Sequence, residues 1–319
     1  MVIAMSEASR TAAPLKITRL AKQYVGGRGV HDISFTVAPG SVTGFIGANG
    51  AGKSTTLKCI VGLTQPDAGT IEIFGRPADF ASRSRVGFLA EERGLAPRER
   101  ARDAIAFHAR LKGLDRSAAY VQADRLLERI GLGARLRTRI GELSKGNAQR
   151  VQILCAIAHK PDLLILDEPF SGLDPVAQAE VQSLFSEFRA GGGAILFSTH
   201  SMSAAERLCD QVVVVSEGRS VFEGAVAEAA AHAPHGVYVT CADAVSLMEV
   251  VAELGGDAQA FPGKMGESLR WRVLLPKDVT YPALMRAMAE RHLAVHGFDP
   301  IQADLEGAFW SLAARKEAA

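Results

Sequence analysis

The stretch GANGAGKST, Gly47 to Thr55, constrains this chain more than any other. It fits the pattern G-x-x-x-x-G-K-[ST], with Gly47, Gly52, Lys53 and Ser54 at the fixed positions. Glycines there let successive backbone N–H groups converge on an anion. Ser41–Ile46 before the loop reads as a buried strand, and Thr56–Leu63 after it reads as a helix whose N-terminal dipole favours the same anion. A Gly-rich turn with an exposed lysine is the bland reading of those residues alone. Strand, loop and helix in that order imply a nucleotide site instead. In that reading Asn49, Gly50, Ala51 and Thr55 complete the cradle, Lys53 reaches the β- and γ-phosphates, and Ser54 holds Mg²⁺.

Such a loop serves kinases, GTPases and many ATPases alike, so the rest of the chain must decide. Leu163–Pro169, LLILDEP, is an apolar run ending in two acids, as expected of a buried central strand that delivers carboxylates to its C-terminal edge. Asp167 then suits Mg²⁺ through a water, and Glu168 suits polarising an attacking water. SGLD follows at Ser171–Asp174, and AILFSTH, Ala194–His200, is a further apolar strand after the turn Gly191–Gly193. His200 thus emerges on the same sheet edge, where its ring can donate to a phosphate and sense its presence. LSKGN, Leu143–Asn147, precedes a segment with Val151, Leu154, Ile157 and Ala158 at helical spacing, so Ser144 and Gly146 stand near a helix N-terminus. By itself LSKGN would be an ordinary cap.

The five motifs in this order resemble the ATP-binding cassette family, whose LSGGQ signature stands here as LSKGN. The resemblance covers Leu15 to about Gly224. It implies a nucleotide sandwich, in which two such domains pair head to tail and each ATP lies between one phosphate loop and the opposing signature. Ser144, Gly146, Asn147 and Asp174 would then face nucleotide held by a second copy or a homologous ATPase subunit. It also implies an aromatic that stacks on adenine, a position matched by Tyr24, although a lone tyrosine at a strand end also serves as packing; stacking contributes about 1 kcal/mol.

The sequence departs from the family pattern at several places. Glu91, in Val86–Leu95, stands where a glutamine is usual; its carboxylate can supply an oxygen to Mg²⁺ while adding negative charge near the γ-phosphate. Ala48 replaces a proline, and Lys145 and Asn147 replace a glycine and a glutamine of the signature. Together the Glu91 segment and LSKGN make the chain similar to the ATP subunits of bacterial sodium or antibiotic exporters. That branch implies separate transmembrane permease subunits and a cytoplasmic chain, peripheral on the inner face of the membrane.

Composition narrows the alternatives. With 319 residues, 48% of them hydrophobic, the chain can bury a large core and a small second one. Lys+Arg 36 against Asp+Glu 35 leaves net +1, with no global electrostatic footprint for nucleic acid. Cys59, Cys155, Cys209 and Cys241 form no C-x-x-C pair, which argues against a disulfide framework or a zinc site. No apolar run approaches the ~20 residues of a spanning helix. A rival class, soluble cassettes that remodel ribosomes or DNA, generally carries two cassettes or a long coiled-coil insertion; this sequence has one phosphate loop and no heptad array.

The domain expectation is a disordered lead-in over 1–14, an α/β P-loop domain over 15–232 with a helical subdomain at about 92–155, and a C-terminal α+β domain over 233–319. Ala101–Leu114 and Ala118–Leu132 show helical periodicity with Arg-rich polar faces. Ala225–Gly236 reads as a connector. Beyond it the pattern predicts strand at Gly236–Ala242, helix at Val245–Gly256, strand at Glu267–Pro276 with Leu269, Trp271, Val273 and Leu275 alternating, and helices at Pro282–Leu293 and Ala303–Ala313. No catalytic cluster stands out there. Dimer support, ligand sensing and simple packing are open readings of that domain.

Overall fold

The computed structural model describes residues 12–92, 94–261 and 269–314, so most of the lead-in expected over 1–14 lies outside the described residues. The chain divides into two compact units, Met1–Val226 and Ala227–Ala319. That division falls ahead of the boundary expected after His232, because the connector opens as a short helix.

The first unit runs β1 Leu15–Gln23, β2 Gly29–Val37, β3 Val42–Gly47, α1 Lys53–Ile60, β4 Ala68–Ile73, β5 Arg76–Pro77, α2 Phe80–Arg83 and β6 Val86–Leu89. It continues with α3 Ala101–Leu111, α4 Arg116–Arg129, α5 Lys145–Ile157, β7 Leu163–Asp167, α6 Pro175–Ala190, β8 Ala194–Thr199, α7 Met202–Leu208, β9 Gln211–Ser216 and β10 Arg219–Ala225. The strands form one sheet in the order β5-β4-β1-β2-β10-β9-β3-β8-β7-β6. Strands β9, β3, β8, β7 and β6 are mutually parallel. Their sequences are mainly apolar, as a sheet covered on both faces requires, and β3, β7 and β8 are buried along their whole length. Register sets Ile46 beside Thr199 and Asp167 beside Ser198, which brings the C-terminal ends of β3, β7 and β8 to one edge.

Helices α3, α4 and α5, between Ala101 and Ile157, fall in the stretch where a helical subdomain is expected and pack on one another. Their inward faces bury Ala104, Ile105, Leu127, Val151 and Leu154 together. Asp115 caps α4 by accepting from Ala118 N, and the Arg102 guanidinium joins α3 to Asp124 of α4 at 2.6 Å.

In the second unit, α8 Val226–Ala230 straddles the division and is followed by β11 Gly236–Cys241, α9 Ala244–Glu253, β12 Asp257–Phe261, β13 Arg270–Leu274, α10 Tyr281–Glu290, β14 Val295–Pro300 and α11 Leu305–Ala314. The antiparallel sheet order β12-β13-β11-β14 with β-α-β-β-α-β connectivity is the ferredoxin-like arrangement. Two strands escape the sequence reading. β12, DAQAF, has no β-branched residue, and β14, VHGFDP, carries a glycine and a proline; both exist because β13 and β11 offer them a ladder. The alternation in β13 holds for the buried Trp271, Val273 and Leu275 but not for Leu269, which is exposed ahead of the strand.

Candidate active site

The phosphate loop closes β3 and opens α1, which starts at Lys53 inside the motif rather than after it. Gly52, at φ 106°, occupies the left-handed region, and a Cβ there would come within 2.5 Å of Val30. A Cβ at Gly47 would meet the Val215 carbonyl oxygen at 2.5 Å. These two contacts explain why the loop needs glycine at its fixed positions. No side chain caps α1, so the N–H groups of Lys53, Ser54 and Thr55 open toward whatever the loop holds. Thr56 turns inward instead, its hydroxyl donating to Gly52 O at 3.0 Å. Asn49 and Gly50 are exposed at the loop crest, and Ala51 is buried beneath it.

Lys53 is buried, and its Nζ donates to Gly47 O at 2.7 Å and Ala48 O at 3.1 Å. An ammonium has three N–H groups, so one remains for an anion. Burial pushes the Lys53 ammonium below its usual pKa, while the charges of Glu168, Asp167 and Glu91 act in the opposite direction. The three carboxylates predicted from the sequence thus converge electrostatically on the one lysine. A phosphate arriving beside a cation that has been stripped of water experiences a strong field.

Asp167 ends β7 and is only 3% exposed. The Ser198 hydroxyl donates to its Oδ1, and the same hydroxyl oxygen accepts from Glu168 N at 3.1 Å. Ser198 therefore fixes both acids from the neighbouring strand, a role the sequence reading missed; its position near the end of β8, two residues before His200, is the signal that could have found it. Glu168 has φ 49°, a left-handed backbone that turns its carboxylate away from the line of β7. Its Oε1 lies 2.8 Å from His200 Nδ1. Glu91 is exposed just beyond β6, within the electrostatic reach of Lys53 described above. Ser54, Asp167 and Glu91 offer a hydroxyl and two carboxylates, a hard oxygen set suited to Mg²⁺.

A second group of predicted residues sits at two helix starts. Ser144 caps α5 by accepting from Asn147 N at 3.3 Å, and Asp174 caps α6 by accepting from Ala177 N at 2.9 Å ahead of Pro175. A Cβ on Gly146 would stand 3.4 Å from the Gly172 carbonyl oxygen, so LSKGN and SGLD adjoin. Asn147 Oδ1 accepts from the Arg150 guanidinium at 3.1 Å, and Arg150 also pairs with Glu180 of α6. Among the described residues, no hydrogen bond joins Ser144, Gly146, Asn147 or Asp174 to Lys53, Asp167, Glu168 or His200. Tyr24 lies in the turn between β1 and β2, its N–H donating to Arg28 O at 2.8 Å. Its ring is partly exposed rather than packed, and the hairpin reaches the phosphate loop, since Gly29 O lies 3.4 Å from a Cβ built on Gly52.

The family model described as ABC transporter matches residues 30–171. An uncharacterized ABC transporter ATP-binding protein of Bacillus subtilis, YhaQ, is 38% identical over 214 residues, 67% of this chain and 72% of that protein. The chain belongs to the ABC transporter family. It is an ATP-binding chain of that family and an ATPase. A Nod factor export ATP-binding protein I of Burkholderia lata is 39% identical over 216 residues, 67% of this chain and 71% of that one. Among solved structures, the ATP binding subunit of an ABC transporter superposes with TM-score 0.63 at 35% identity, covering 67% of this chain and 91% of that one. The cbiO1 protein of Clostridium perfringens, part of the ABC transporter complex cbiONQ, superposes with TM-score 0.59 at 28% identity, covering 67% of this chain and 89% of that one.

Proposed function

We propose that this chain is the ATPase subunit of an exporter and drives separate transmembrane subunits by pairing head to tail around ATP. The observation that carries the pairing is the division of the site. The phosphate loop, Asp167, Glu168 and His200 form one group, while Ser144 and Asp174 stand exposed at the starts of α5 and α6. A helix N-terminus whose capping serine still has its O–H to donate favours an anion, and one brought by a second chain would complete the first group. In the paired state Glu168 polarises the attacking water, His200 holds the Glu168 carboxylate, Lys53 neutralises phosphate charge, and Ser54, Asp167 and Glu91 hold Mg²⁺. Bound Mg²⁺ would neutralise charge developing on the phosphate oxygens.

Membrane coupling rests on a different observation. No helix among the described residues is long and apolar enough to cross a membrane. Yet Leu63, Phe80, Phe107 and Leu111 are exposed, Phe80 at 92%. Lys112 Nζ donates to Arg83 O at 3.0 Å and Arg83 Nε to Ile60 O at 3.0 Å, which ties the ends of α1, α2 and α3 into one surface. Such an apolar surface suits a segment from a membrane subunit, with the chain peripheral on the cytoplasmic face. The likeness to Nod factor export proteins supports export as the direction of transport.

The test is to trap Glu168→Gln with ATP, extract it in mild detergent from its native cell, and identify co-purifying chains by mass spectrometry. A stoichiometric polytopic membrane protein supports the reading. Ribosomal proteins or soluble partners alone would sink it in favour of a remodelling ATPase.

A further inference from the structure

Gln152 is buried on α5, the helix that Ser144 caps, among the apolar neighbours Val151, Ile153 and Leu154. Its Nε2 donates to Ala90 O at 3.1 Å and to Glu92 O at 3.2 Å. Those are the two carbonyls that flank Glu91. They lie beyond the end of β6 at Leu89, where the strand ladder no longer supplies donors. One amide nitrogen carries two N–H groups, and here a single side chain spends both on the turn. An apolar residue of similar size would pack in this helix without the desolvation penalty of an amide, so the amide is explained by what it holds.

We propose that Gln152 is a positioning residue: it clamps the Ala90–Glu92 turn to α5, so that the backbone carrying Glu91 keeps its place and the signature helix and the turn shift together. The clamp is independent of the function proposed above, but its consequence for metal binding rests on the reading of Glu91 as an Mg²⁺ ligand. A displacement of α5 on pairing would reach Glu91 through two hydrogen bonds rather than through the sheet.

The test uses the full chain with Gln152→Met, which keeps length and removes the donor, and Gln152→Lys, which restores a donor of similar reach. Trypsin cleavage after Arg93, followed by mass spectrometry against the other tryptic sites, reads the freedom of the turn. Loss of the clamp in Gln152→Met should speed that cleavage about thirtyfold relative to the other sites, the effect of about two hydrogen bonds, and Gln152→Lys should slow it again. Cleavage that is unchanged, or that rises equally at every site, overturns the proposal. The second readout is the Mg²⁺ concentration for half-maximal binding of a non-hydrolysable ATP analogue, expected to rise about tenfold in Gln152→Met, with binding in the absence of metal unchanged. If Glu91→Ala raises that concentration and Gln152→Met does not, the positioning role is overturned. If cleavage accelerates while neither variant alters the metal requirement, the clamp stands and the metal reading of Glu91 fails.

Discussion

The Glu168 carboxylate meets the His200 ring at 2.8 Å, Oε1 to Nδ1, across the ends of two adjacent parallel strands. The carboxylate side chain is 13% exposed and the ring 62%, so a solvent-facing imidazole covers a largely enclosed acid. The left-handed backbone at Glu168 makes this meeting possible, because an extended residue there would carry the side chain along the strand.

Glu168→Gln keeps the shape and the hydrogen bond but loses the base. It should retain ATP binding and lower turnover by roughly 10² or more, read by equilibrium binding of labelled ATP beside steady-state phosphate release. Unchanged phosphate release would remove Glu168 from the role of base.

Ser198 bridges Asp167 and the Glu168 backbone from inside the sheet. Ser198→Ala leaves a buried Asp167 carboxylate oxygen without its donor, while Glu168 N keeps its second acceptor, the backbone carbonyl of residue 198, at 3.2 Å. The expected loss is about 1–3 kcal/mol of stability, together with a metal requirement raised about tenfold. Urea unfolding and Mg²⁺ titration of nucleotide binding measure the two effects separately. A metal requirement equal to that of the parent would confine Ser198 to the fold.

Legibility followed locality. Gly47, Gly52, Lys53, Asp167, Glu168 and His200 could be read because strand-end chemistry repeats within a few residues, and a phosphate loop has few other uses. Ser198 and Gln152 could not, because each acts on a partner in another element: Ser198 lies 31 residues from Asp167, and Gln152 lies 62 from Ala90. The ferredoxin-like unit shows the same limit. Its central strands β11 and β13 carry alternating apolar residues, whereas the edge strands β12 and β14 lack a pattern of their own and depend on the ladder beside them. Tyr24 was ambiguous for a different reason, since only the exposure of its hairpin turn separates a stacking ring from a packed one.

His159, just beyond α5, supplies a pH dependence. Burial pushes its imidazole down to about 4, and the nearby Lys112 charge adds to the shift. The folded value lies below the ordinary value of 6.5, so as pH falls the unfolded chain takes up a proton first. Stability from this group is intact above pH 6.5 and is lost progressively down to about 4. Between pH 7 and pH 5 the loss amounts to about 1–2 kcal/mol. His159→Leu should remove that part of the acid sensitivity, measured as the difference in urea midpoint at the two pH values. An equal difference in parent and variant would assign it to other groups.

The apolar surface around Arg83 separates docking from hydrolysis. Phe80 belongs to a four-residue helix whose N-cap, Asp79, accepts from Ser82 N at 2.7 Å. Its side chain projects into solvent and supports no core contact, so Phe80→Ser has little effect on the fold. Leu111, exposed at the end of α3, can be changed to serine for the same reason. Burying both side chains against a membrane subunit would contribute about 3–6 kcal/mol by area, so the double variant should lose at least a hundredfold in partner affinity. Basal ATP hydrolysis by the isolated chain should stay within about twofold of the parent, because neither residue reaches Lys53 or the carboxylates. Co-purification from detergent extracts and phosphate release on the same preparation measure both quantities. Partner capture that survives the double change would move the docking surface elsewhere on the chain and leave the nucleotide chemistry as it stands.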